Sequence, residues 1–234
     1  MCGRFQLSVK GKEIAQRYQI EVYDELHRPQ KPGAPPPKGY NCAPMQWLAV
    51  ITNQSPHQIS YLRWGLLPPW AKDEAIAIKM INSRIETIME KPAFRKAIQQ
   101  QRCLIPANGF YEWGKGTIKQ PYRFFVSDEM IFSMAGIWEQ WKRADGSVLK
   151  TFSILTTQAV DSMKPIHQRM PVILSRELEK QWLSLKTITD IEPFLNPLAD
   201  ENLQFEAVST LVNKVQNDGP ELLNPHNSNQ LTLI

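Results

Sequence analysis

Seven short runs rich in β-branched and aromatic residues follow one another between Trp47 and Thr157: WLAVIT, QISYLRWGL, RCLIPA, GFYEW, PYRFFV, MIFSMAGIW and KTFSILTT. Turn residues separate them, which is the pattern of successive strands. Helical signals are fewer. VKGKEIAQRYQI spaces Ile14 and Tyr18 as in a short helix, Pro92 suits the first turn of a helix over KPAFRKAIQQQ, and Ser175 can cap one over SRELEKQWLSL. FEAVSTLV reads as a late strand. Strands and helices do not alternate regularly, so the expected class is α+β. Its core should be a mainly antiparallel, barrel-like β-sheet with helices at the periphery, rather than a doubly wound parallel sheet.

The 234 residues, 42% hydrophobic and 21% charged, can bury a substantial core. HRPQKPGAPPPKGYNCAP, from His27 to Pro44, holds six prolines and two glycines in eighteen residues. It is too irregular for a helix or a central strand and reads as a long loop. Too few residues precede it to form a domain, so residues 1–234 are expected to be one domain, with a core to about 225 and a tail over 226–234.

No run approaches the ~18 apolar residues of a membrane span, and MCGRFQLSVK lacks the apolar segment of a signal peptide. A cytoplasmic protein is expected. Cys2, Cys42 and Cys103 are odd in number and lack paired spacing, against a disulfide framework, and four scattered histidines give no zinc pattern. No metal or cofactor is expected. The net charge of +4 permits an anionic partner without requiring one.

Position 2 carries the most distinctive chemistry. Removal of Met1 would leave Cys2 with a free α-amine beside its thiol, and an amine of ordinary pKa near ~8 is partly unprotonated at neutrality. Both groups react with an aldehyde: the amine gives a Schiff base, and the thiol then closes a five-membered thiazolidine. INSRIET sets Asn82, Arg84 and Glu86 at alternate positions, so an extended segment would present an amide, a guanidinium fit for phosphate and a carboxylate on one face. GFYEW sets Glu112 among aromatics, where its pKa would rise and suit proton transfer. KPIHQRMP holds His167 in a loop bounded by Pro165 and Pro171, a place for an acid that opens a sugar ring. In RWGLLPPW, Trp64 reads as core, and an exposed Trp70 would stack on a base.

MCGRF, YNCAP, WGLLPPW, INSRIET, GFYEW, IHQRMP and VSTLVN occur in the order found in the SOS-response-associated peptidase family, and the chain resembles that family from Cys2 to about residue 225. The resemblance implies a protein that binds single-stranded DNA carrying an abasic site and traps the ring-opened sugar as a thiazolidine crosslink on the N-terminal cysteine. It implies self-removal of Met1, whence "peptidase", with lyase-like strand cleavage left open. By the same match Cys2 is the nucleophile, Asn82 positions the reacting end, Glu112 shuttles protons and His167 helps open the sugar. Arg4, Asn41, Trp70 and Arg84 match DNA-contacting positions. A monomer is expected, associated with the nucleoid if bacterial.

Two features depart from that pattern. Cys42 adds a second thiol, and Trp70 is followed by Ala71 where some relatives have another aromatic. Two other readings stay open on sequence alone. An N-terminal-nucleophile amidohydrolase also begins Met-Cys-Gly, and ANGF (Ala107 to Phe110) offers the Asn-Gly dipeptide such enzymes use at the oxyanion. A non-catalytic single-strand-binding module would use the same arginines and tryptophans for affinity alone.

Overall fold

A computed structural model of the chain describes residues 2–20, 39–115, 119–186, 191–194 and 198–225. The chain opens with β1 (Phe5–Gln6) and helix α1 (Gly11–Tyr18), followed by the hairpin β2 (Trp47–Thr52) and β3 (Ser55–Trp64). Next come β4 (Asn82–Arg84), helix α2 (Arg95–Gln100), β5 (Arg102–Ala107), β6 (Gly109–Trp113) and β7 (Pro121–Val126). The long strands β8 (Phe132–Lys142) and β9 (Val148–Gln158) precede β10 (Arg169–Pro171), β11 (Ile173–Leu174), helix α3 (Arg176–Ser184) and β12 (Leu203–Ala207). Each of the seven β-like runs falls on a strand, although QISYLRWGL runs past the end of β3 at Trp64 and MIFSMAGIW begins before β8 does at Phe132.

Strands β9, β3, β2, β5 and β8 are hydrogen-bonded in that order, and β8 pairs again with β9. Five strands therefore close into a barrel, which leaves the ring no free edge. Its pairings are antiparallel except β3 with β9, parallel at Arg63↔Thr151 and Trp64↔Phe152. Strand β4 pairs with β9 farther along that strand, also in parallel, from Asn82↔Ile154 to Arg84↔Thr156. A second sheet runs β1, β6, β7, β12. The fold is α+β with few helices, as the runs and their spacing implied.

Alternation decides what fills the barrel. Leu48 and Val50, Leu62 and Trp64, Cys103 and Ile105, Met134 and Trp138, and Phe152 and Ile154 are buried in one cluster. Residues of the opposite parity, Ile51, Leu104, Ala135, Ile137 and Leu155, pack in a second cluster with Ile98 of α2 and Trp182 of α3. Both faces of these strands are covered, which is why their sequences read as nearly continuous apolar runs. Each fully buried large side chain contributes roughly 1.5–3 kcal/mol. Between Met134 and Trp138 the inward position is Gly136; a Cβ there would lie 2.3 Å from Ile105 Cδ1.

Arg102 is wholly buried on the outer side of β5. Its Nε donates to the Trp182 carbonyl at 2.8 Å, Nη1 to those of Ile98 and Gln99 at 3.1 and 2.6 Å, and Nη2 to that of Leu185. These carbonyls belong to the C-terminal ends of α2 and α3, where partial negative charge collects. One cation thus fastens both helices to the barrel.

Local signals locate helices well but not their limits. Ser175 Oγ caps α3 by accepting from the Leu178 N–H. Helix α2 starts later than Pro92 implied: the Phe94 and Arg95 N–H groups both bond to the Lys91 carbonyl at 2.9 Å, so Pro92 sits in a turn ahead of the helix. The strand expected over FEAVSTLV stops at Ala207, because Ser209 Oγ accepts from the Leu211 N–H and caps a 3₁₀ turn over Thr210–Asn213. Residues 27–38 of the proline-rich stretch and the 226–234 tail lie outside the described residues.

Candidate active site

The N-terminal segment packs against the barrel core. Phe5 sits against Trp64 with ring centroids 5.4 Å apart, and the Phe5 and Cys42 main chains bond to each other at 2.8 and 3.1 Å. This anchoring carries Cys2 into the interior, where it is 0% exposed and its Sγ donates to the Arg4 carbonyl at 3.8 Å. Burial raises the thiol pKa far above its ordinary value, so the sulfur is held as a neutral thiol.

Of three side chains from remote parts of the sequence, Asn82 bonds to Cys2, Glu112 acts on it electrostatically and His167 adjoins Glu112. Asn82, at the start of β4, donates from Nδ2 to the Cys2 carbonyl at 2.8 Å. Its Oδ1 is buried and accepts no hydrogen bond among the described residues, a cost of about 1–3 kcal/mol unless a donor arrives. Glu112 lies on β6, two residues beyond the Phe5↔Phe110 pair. It is 4% exposed, and burial pushes its carboxyl pKa above the ordinary range, opposed by nearby positive charge including His167. His167 Nδ1 lies 3.9 Å from Glu112 Oε1, with its side chain 28% exposed, so it stands between the buried groups and solvent.

The residues matched to DNA contacts divide into two sets. Trp70 is 56% exposed on a tight turn in which the Ala71 N–H bonds to the Pro68 carbonyl, and Trp141 Nε1 grips the Ala71 carbonyl at 2.8 Å. Ala71 is itself buried, packed with Leu67, Ala77 and Leu149. Arg84 is exposed at the end of β4. Arg4 and Asn41 turn inward instead. Arg4 Nη1 donates to Asn41 Oδ1 and to the Val212 carbonyl, both at 2.8 Å, and burial lowers the guanidinium pKa. Asn41 is 1% exposed, and its Nδ2 donates to the carbonyls of Val212, Lys214 and Asn217. Direct DNA contact expected of Asn41 gives way to an internal role: its amide ties the VSTLVN segment to the N-terminus.

The expectation that Asn82, Arg84 and Glu86 share one face of an extended segment needs correction. The strand ends at Arg84, and Ile85–Thr87 form a 3₁₀ turn because Ile85 and Ile88, one such turn apart, are both fully buried. Glu86 is thereby carried to Arg169, which it meets at 2.6 and 2.9 Å. Cys42 is buried, and its Sγ donates to the Gly39 carbonyl at 3.8 Å. Asn108 of the Asn-Gly dipeptide spends its side chain on Ser8, while Gly109 pairs with Gln6. Among the described residues no three His, Cys, Asp or Glu side chains converge as metal ligands would, and no helix is long and apolar enough to cross a membrane.

The model of the SOS response associated peptidase family matches residues 1–215. The chain belongs to this family. Relatives of the chain include abasic site processing protein YoqW of Bacillus subtilis (strain 168), 41% identical over 235 residues that cover 97% of this chain and 100% of the relative. Abasic site processing protein HMCES of Gallus gallus is 30% identical over 261 residues, covering 96% of this chain and 78% of the relative. A crystal structure of a protein from Bacteroides thetaiotaomicron superposes with a TM-score of 0.83 at 29% identity, covering 96% of this chain and 99% of that one. In this family member the pairing missed from sequence is that of Glu86 with Arg169. Its sequence signal is the spacing of the apolar pair Ile85 and Ile88, three apart as in a helical turn rather than two as in a strand.

Proposed function

We propose that the protein recognises abasic sites in single-stranded DNA and, once Met1 has been removed, traps them as a thiazolidine crosslink on Cys2. The observation that carries this reading is the convergence of Cys2, Asn82, Glu112 and His167, from four separate segments, on the start of the chain. The names of the relatives agree with it.

The geometry supports the following order of steps. The cyclic sugar of an abasic site reaches the buried centre past the partly exposed His167, which gives a proton to the ring oxygen as the aldehyde opens. The buried thiol is neutral, so the α-amine of processed Cys2 attacks first. Attack forms the C–N bond of a carbinolamine, and Glu112, whose carboxyl pKa burial raises, delivers a proton to the departing hydroxyl. Water leaves and a Schiff base remains. Cys2 Sγ then adds to the imine carbon while its proton passes to the nitrogen, closing the ring; the net change is one aldehyde plus one aminothiol to thiazolidine and water. Asn82 holds the Cys2 carbonyl, and its unfilled Oδ1 offers an acceptor to the amine or to a sugar hydroxyl. Trp70 and Arg84 face the strand, by stacking and phosphate attraction.

Intact-protein mass spectrometry after incubation with a single-stranded oligonucleotide bearing one abasic site tests the proposal. A chain lacking Met1 and heavier by the oligonucleotide less water is expected, absent with Cys2→Ala and with undamaged DNA. Met1 removed but no adduct formed would sink the crosslinking role.

A further inference from the structure

We propose that Glu86 is a positioning residue for this chemistry: through Arg169 it locks the His167 loop onto the segment that holds Cys2, while lowering affinity for the DNA strand. The inference rests on the crosslinking reading above.

Glu86 and Asn82 are rigidly related. Four residues apart, they are joined by β4 and a 3₁₀ turn whose Ser83, Ile85 and Ile88 are buried. Asn82 grips the Cys2 carbonyl at one end of this segment. At the other end Glu86 takes the Arg169 guanidinium in a two-point grip, Nη1 to Oε1 at 2.6 Å and Nη2 to Oε2 at 2.9 Å, and Nη2 also donates to the Thr156 carbonyl at 2.6 Å. A planar fork held at both nitrogens fixes orientation as well as distance.

Arg169 in turn fixes His167. The Arg169 main chain meets His167 Nδ1 with both its N–H and its carbonyl oxygen, each at 3.0 Å, so the ring is held at Nδ1 in either neutral tautomer. Nε2 is free of these main-chain contacts and is the ring nitrogen left to face a sugar oxygen. The contacts form a circuit from Cys2 through Asn82, Glu86, Arg169 and His167 to Glu112 that encloses the reacting atoms.

The two-point pair, its side chains 15% and 35% exposed, adds to stability as well as to orientation. Affinity does not account for it, since a carboxylate on a guanidinium beside a DNA site cancels attraction for phosphate. Its effect on the chemistry is to hold the acid in register with the nucleophile.

Opposed changes in rate and affinity test this. Single-turnover adduct formation at saturating abasic oligonucleotide should slow about tenfold in Glu86→Ala, since ångström-scale misplacement costs up to about 10² in rate. Binding of an undamaged oligonucleotide should tighten, with the log–log salt slope steeper by about 0.7, the value for one further phosphate contact on a single strand. Glu86→Gln, which keeps one acceptor, should lose less rate than Glu86→Ala. A wild-type rate in Glu86→Ala, or an unchanged salt slope, overturns the inference while crosslinking by the wild type stands. A wild-type protein that forms no adduct overturns the crosslinking reading and this inference with it.

Discussion

Asn82 Nδ2 donates to the main-chain carbonyl of Cys2 at 2.8 Å, joining residues 80 positions apart. Neutral donation to that oxygen requires an amide. In Asn82→Asp two acceptors would face each other, so the chain start should leave its place. Adduct formation in gel-based single-turnover assays is expected to fall at least about tenfold. A wild-type rate in Asn82→Asp would remove Asn82 from the mechanism.

Glu112 acts as an acid only while protonated, and burial extends that form to higher pH than an ordinary carboxyl allows. The Glu112-dependent part of the rate should therefore be present at low pH and be lost as pH rises through the raised pKa. Glu112→Gln is expected to slow adduct formation by about 10²–10⁴-fold and to abolish that pH limb. The same carboxyl serves reversal by microscopic reversibility, so the variant's adduct should release DNA more slowly. Release as fast as wild type, followed by re-trapping on excess free oligonucleotide, would count against the role in reversal.

Glu139 is a second buried acid, remote from this chemistry. It is 3% exposed, and burial pushes its pKa up to about 7 from 4.5, only partly offset by the Gln140 N–H and Lys96. A raised folded-state pKa means stability that is fully present below pH 4.5 and is lost as pH rises toward 7. The difference amounts to at most about 3.4 kcal/mol at 1.36 kcal/mol per pKa unit, and less where the Gln101 amide donates to the carboxylate. Glu139→Gln should accordingly raise the urea midpoint at pH 8 and have little effect near pH 4. Equal gains at both pH values would show that packing, not charge, is responsible.

The barrel was legible because its strands announce themselves by composition and by turn residues at their ends. Ring closure was not, since the β8–β9 and β3–β9 pairings depend on which strands meet in space. The candidate site was legible as residue types: Cys2, Asn82, Glu112 and His167 do converge. What alternation could not show was the 3₁₀ turn after Arg84, because the burial of Ile85 and Ile88 is set by the core they enter. Asn41 was misread for a related reason. A polar side chain in a loop looks like a contact until its carbonyl partners, more than 170 residues away in the chain, are seen to enclose it.

Arg102 should be the costliest polar residue to replace outside the site. Arg102→Ala leaves carbonyls of two helix ends buried without a donor, each worth about 1–3 kcal/mol. A loss of at least about 3 kcal/mol is expected in urea unfolding, with an unchanged m-value. Arg102→Lys should recover only part, as one ammonium cannot reach carbonyls that the guanidinium fork spans. A loss below about 1 kcal/mol would mean that water replaces the guanidinium at these carbonyls.

Trp70 and Arg84 are both exposed, but they should act on DNA in different ways. Arg84→Ala removes a charge, so binding of undamaged single strands should weaken and the log–log salt slope should become shallower by about 0.7. Trp70→Ala removes a stacking surface, worth about 1–3 kcal/mol per base, and should weaken binding with the slope intact. Neither touches the Cys2–Asn82–Glu112–His167 group, so the adduct rate at saturating DNA should stay near wild type for both. Fluorescence anisotropy across a salt series separates the two effects. A shallower slope in Trp70→Ala would show that its turn orients phosphate-binding groups rather than presenting a ring to the bases.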